Sequence, residues 1–183
     1  MGVILDILGM LTVRAAIVMI ILNLMITMHE ALFKASDRTA LSELIAAPAQ
    51  SIEYDLKLAG PDTTLQVKYK KFLTLGQTDM KFYAVDTAGT LYIVRYYLSG
   101  TTLYRSVNNV LPGIQVAQNV YSFRVRYFRL DGTSTTSTFD QIHSVYVKLT
   151  IQSAYREAVN RGGYSDTTAR KITWEQHFFP DNL

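Results

Sequence analysis

Histidine, cysteine and paired carboxylates carry most enzymatic and metal chemistry, and here they are sparse and scattered. There is no cysteine, which removes disulfide scaffolds, thiolate metal sites and cysteine nucleophiles and leaves the redox compartment open. The three histidines, His29, His143 and His177, have no i,i+4 partner and no acid at ligand spacing, so they read as surface or interface residues and no metal is expected. Asp55, Asp131 and Asp140 fall at a helix end and in two turns, with no pairing for acid–base work inferable from sequence. Neither a phosphate-binding glycine loop nor a G-x-S-x-G elbow is present. The glycines of "NRGGYSD", beside Arg161, have the makings of an anion loop, but the stretch reads as a mobile loop. Catalysis is disfavoured, and no cofactor is expected.

Two groups of residues remain. In "FRVRYFR" a strand would point Phe123, Val125 and Tyr127 one way and Arg124, Arg126 and Phe128 the other, with Arg129 following. Basic side chains beside an aromatic are the ingredients of a phosphate-tracking surface. The same row also suits an outer sheet face that is solvated or touches a neighbouring subunit, and it lacks the RNP1 pattern. The second group lies in the apolar run around "LTVRAAIVMIILNLMITMHEAL", where Asp6 and Arg14 are the only charges between Val3 and Met28. A charge in such a helix is costly in lipid and calls for a partner. Eight residues separate Asp6 from Arg14, about 12 Å along a helix axis, too far to meet within one helix. In an assembly staggered by that distance, Asp6 of one copy comes level with Arg14 of the next. Gly9, Thr12, Ala15 and Ala16 supply the small side chains that let apolar helices approach. The alternative is that Arg14 snorkels to headgroups while Asp6 stays wet.

The elements that must position these groups follow from patterning. The chain has 183 residues, is 49% hydrophobic and carries a net charge of +3, enough for one domain with a core plus an appendage. Residues 1–28 form an apolar segment long enough to span a bilayer. A cleaved signal is not expected, because "MGVILD" lacks a basic n-region and the run is too long. Residues 29–60 continue the helix amphipathically, with Leu41, Leu44, Ile45, Pro48, Ile52, Leu56 and Ala59 as one apolar stripe. Pro48 predicts a kink rather than a stop, and the stop is expected at "AGPD". From residue 61 to 183 the period becomes two, in "LQVKYKKFL", "KFYAVD", "TLYIVRYYL", "TLYRS", "YSFRVRYFRL", "HSVYVKLTIQ" and "KITWEQHFF". This predicts an antiparallel meander covering the helical stripe, an α+β fold, with tyrosines that alternate with Arg or Lys pairing across its outer face. The mild positive balance of the second half makes a nucleic-acid partner admissible without requiring one.

The closing helix segment "IEYDLKLAG", then "LYIVRYYLSGTTLYRS", "NVYSFRVRYFRLDG", "IHSVYVKLTI" and the terminal "FFPDNL" are similar in order and spacing to the larger minor pilins and type II secretion pseudopilins. The chain as a whole resembles the type IV pilin superfamily, with its long helix, apolar in front, under an antiparallel sheet. The family's Gly-Phe-Thr-Leu-Ile-Glu motif does not occur in the sequence. With Met1 removed, Asp6 would be the fifth residue and would stand where the family has its Glu. The resemblance implies a structural subunit whose helix resides in the inner membrane before assembly. That helix then packs in a filament core against copies of itself or other pilin-like subunits, with the sheet domain displayed at the cell surface. The alternative is a single-pass anchor carrying an extracytoplasmic binding module for an envelope partner or DNA. Such modules usually hang on a flexible linker, and none interrupts the helix here.

Overall fold

A 56-residue helix, α1 (Gly2–Lys57), opens the chain and runs through Pro48 without a stop. The computed structural model describes residues 2–60, 72–86, 88–135, 142–161 and 164–179, with side chains for all of these except residues 2–8 and 155–168. Residues 65–71 of the first expected strand thus lie outside the described residues. The chain divides into two compact units, Met1–Ala40 and Leu41–Leu183.

In the first unit the helix from Gly9 to Ser36 is exposed on every face, and its apolar stretch is long enough to cross a membrane. Thr12 Oγ donates to the Gly9 carbonyl at 2.8 Å and Thr27 Oγ to that of Asn23 at 2.8 Å. Both hydroxyls are therefore satisfied inside the helix, as an apolar surrounding demands.

In the second unit the C-terminal turns of α1 bury Leu41, Ile45, Ala49, Ile52 and Leu56. Leu44, expected in this stripe, is instead 57% exposed. One residue advances a helix by about 100°, so Leu44 sits a full step behind Ile45 and falls off the buried face. Gly60 adopts φ 124° and turns the chain out of the helix, a conformation in which a Cβ is strained. Its N–H donates to the Tyr83 carbonyl at 3.1 Å, and the Val85 N–H to that of Leu58 at 3.1 Å.

The strands form two antiparallel sheets where a single meander is expected. The first, in order β1 to β5, comprises β1 (Phe72–Leu75), β2 (Asp79–Val85), β3 (Leu91–Ser99), β4 (Thr102–Val107) and β5 (Ile114–Ala117). The second runs β7-β6-β8-β9, with β6 (Val120–Phe128), β7 (Ser134–Thr135), β8 (Ser144–Arg161) and β9 (Tyr164–Phe178). The break falls at Asn119, whose φ of 54° turns the chain between β5 and β6. Beyond that turn β6 takes its ladder from β8. The stretch expected as a loop, "NRGGYSD", lies largely within a hairpin, since Asn160 pairs with Ser165 and Arg161 with Tyr164.

Alternation decides what each sheet buries. Met80, Phe82 and Ala84 of β2 face inward with Val94 and Tyr96 of β3. Phe123, Val125 and Tyr127 of β6 do the same with Val145, Val147 and Leu149 of β8. Phe72 and Tyr127 meet edge-on at 5.3 Å, and the Val125 N–H donates to the Gln77 carbonyl at 2.8 Å, so strands of both sheets share one core. The outer-face expectation for the tyrosines holds for Tyr97 and Tyr104, which stack across strands at 5.4 Å. It fails for Tyr96 and Tyr127, which are buried because their strand positions share parity with the apolar residues.

Candidate functional site

The outward side of β6 is built by the same alternation. Between buried Phe123, Val125 and Tyr127, the side chains of Arg124 and Arg126 are exposed. β8 runs antiparallel beside them, placing Lys148 opposite Arg124 and Tyr146 opposite Arg126. With Ser122 and Phe128 these residues line a groove of about 340 Å³. Arg129, the third arginine of the run, does not line it. It sits past the strand end, where its N–H donates to the Thr133 carbonyl at 2.9 Å.

β9 closes one side. Glu175 accepts from Tyr146 Oη at 2.7 Å and pairs with Lys148 Nζ at 2.9 Å. The hydrogen bond from Tyr146, then that from Lys148, holds the Glu175 carboxyl below its ordinary value. Glu175 in turn raises the Lys148 ammonium while Arg124 opposes the rise, and it raises the Tyr146 phenol, opposed by Lys148 and Arg126. Among the described residues neither Arg124 nor Arg126 has a carboxylate within salt-bridge distance. The groove therefore holds two more cations than anions, beside two aromatic rings. Its chemistry is that of anion recognition, with Ser122 as a further polar group. Alternation in "HSVYVKLTIQ" already put Tyr146 and Lys148 on one face. What the sequence lacked was the β6–β8 register that brings them to the arginines.

At the end of the same face, His177 Nε2 lies 2.8 Å from Ser144 Oγ, and its ring lies 5.2 Å from Phe128. Ser144 is buried, and among the described residues no carboxylate orients the imidazole, so the pair lacks the third member of a hydrolytic triad. Among the described residues no group of three or more His, Cys, Asp or Glu lies close enough to hold a metal.

A second charged cluster is buried. Asp55, 1% exposed on the packed face of α1, accepts from Arg105 Nε at 2.6 Å and Nη2 at 2.8 Å, and from Tyr96 Oη at 2.5 Å. Burial first, then the Asp55 charge, pushes the Tyr96 phenol far up, and the hydrogen bond to Asp55 raises the Arg105 guanidinium. The cluster pins the helix end to β3 and β4. The signal was an acid lying between Ile52 and Leu56 on the apolar stripe, which demands a cation.

Of the residues expected at a helix interface, Gly9, Thr12, Arg14, Ala15 and Ala16 are all exposed on α1. A Cβ added at Gly9 would meet nothing within 4 Å. The Asp6 side chain lies outside the described residues. No family model matches the chain, and no curated protein matches it significantly.

Proposed function

We propose that the chain is a structural subunit of a pilus-like or pseudopilus filament. In this reading the apolar part of α1 resides in the membrane before assembly and packs in the filament core afterwards, with the sheets displayed outside. The observation that carries the reading is the continuity of α1 from Gly2 to Lys57. One helix serves both as an exposed apolar rod and as part of the buried core of the Leu41–Leu183 unit. A tethered module usually hangs on a flexible linker, and none interrupts the helix. Partners are further copies of the chain or other pilin-like subunits, and Asp6 of one copy meets Arg14 of the next.

The test is filament recovery from the native host. Full-length protein should appear in sheared surface filaments. Asp6→Arg or Arg14→Asp alone should abolish them while the protein still fractionates with membranes, and the double exchange should restore some. Normal filaments from either single variant would remove the pair from the mechanism. A membrane-bound monomer that never enters filaments would favour the second reading, an anchored binding module, for which the basic groove speaks.

A further inference from the structure

We infer that the groove on the outer face of the second sheet binds a nucleotide unit, its phosphate held by Arg124, Arg126 and Lys148 and its base laid against Phe128 and Tyr146. Arg124 stands directly opposite Lys148 in the ladder, a placement that like charges make unfavourable. Arg126 adds a third cation about 7 Å along the same strand. Of the three cations, Glu175 pairs with Lys148 alone. The groove thus keeps a repulsion that a bound anion removes, and the planar fork of an arginine matches the oxygens of a phosphate in a way a point charge does not.

The aromatic end narrows the ligand further. Phe128 and Tyr146 are half-buried, so each ring is fixed in the wall yet keeps accessible surface. Arg126 lies opposite Tyr146 and two residues from Phe128, which joins the cationic and aromatic parts of the groove. Phosphate contacts next to stacking rings are how single nucleotides of any sequence are held. A volume of about 340 Å³ sits at the lower end of small-ligand sites, roughly 300–1,000 Å³, and suits one nucleotide rather than several. The source is either a free nucleotide or one residue of a single strand. This inference goes beyond the filament reading and stands without it.

The test uses full-length protein in detergent micelles, with a labelled oligothymidylate followed by fluorescence anisotropy. Thymidine monophosphate, inorganic phosphate and an abasic oligonucleotide of equal length serve as competitors. The double variant Arg124→Gln/Arg126→Gln should bind roughly tenfold or more weakly, with a salt slope shallower by about 0.7 per lost contact. Lys57→Gln, an exposed charge removed from the helix, should bind as wild type. Thymidine monophosphate should compete better than inorganic phosphate if free nucleotides are the source. An oligonucleotide that resists the monophosphate but is held more tightly than its abasic counterpart identifies the strand. Absence of binding, equal binding by the double variant, or equal competition by the abasic oligonucleotide would overturn the assignment. Because the readout needs no filament, its failure is distinct from failure of the filament reading.

Discussion

Asp55 and Arg105 are fifty residues apart in the chain and share two hydrogen bonds. They differ in what truncation leaves behind. Asp55 is 1% exposed and the Arg105 side chain 25%. Arg105→Ala leaves a buried carboxylate with no cation and only the Tyr96 hydroxyl for a partner, and should cost about 3–5 kcal/mol of stability. Asp55→Ala leaves a guanidinium that reaches water, with an expected cost of about 1–3 kcal/mol. The double variant should lose clearly less than the sum, a coupling that denaturant unfolding in a double-mutant cycle measures. Additive losses would show that the pair does not act as a unit. At this scale the sequence was half legible. The outward aim of Arg124 and Arg126 followed from strand parity, which needs only neighbours in the chain. The partner of Asp55 did not, since it depends on which strand passes over the helix end.

The helix stripe and the strand ladders make separate claims on the core. Ile52 and Leu56 are fully buried, whereas Leu44 is 57% exposed. Ile52→Ala should therefore cost about 2–5 kcal/mol by leaving a cavity under the sheets, and Leu44→Ala should fall within about 0.5 kcal/mol of wild type. Comparing their urea midpoints checks the assignment of the buried face, and a large loss at Leu44 would reverse it. Elements with a long periodic signal were legible, including α1 with its stop before Gly60 and strands β2, β3, β6 and the first half of β8. β5 and β7, four and two residues long, carry too few alternations to register. The "NRGGYSD" turn was misjudged because its glycines and polar residues look like loop, while cross-strand pairing extends the ladder to Arg161 and Tyr164. The division into two sheets was hidden as well, because strand spacing along the chain does not reveal which neighbour supplies the ladder.

For the molecule as a whole, stability should fall in alkali. In the folded chain burial pushes the phenols of Tyr96 and Tyr127 above their ordinary value of 10.0, with further upward contributions from Asp55 and Asp79 respectively. Above that value unfolded tyrosines release protons that the folded ones keep, so the unfolded state binds fewer protons and the slope of stability against pH is negative. The contribution is complete below pH 10 and is lost progressively above it. Unfolding midpoints between roughly pH 8 and pH 11 should show the decline, and Tyr127→Phe, which gives up one 3.3 Å hydrogen bond to the Thr74 carbonyl, should make it shallower. An unchanged alkaline slope in that variant would exclude Tyr127 as a source. The way α1 ends has a mechanical meaning too. The Asp55–Arg105 pair, the Gly60-to-Tyr83 bond and the Val85-to-Leu58 bond join the last turn of the helix and the residues just past it to the first sheet. All three fall between Asp55 and Gly60, so lifting this end of the helix off the first sheet breaks an ion pair and two backbone hydrogen bonds within six residues of chain. The junction is a clamp and not a hinge.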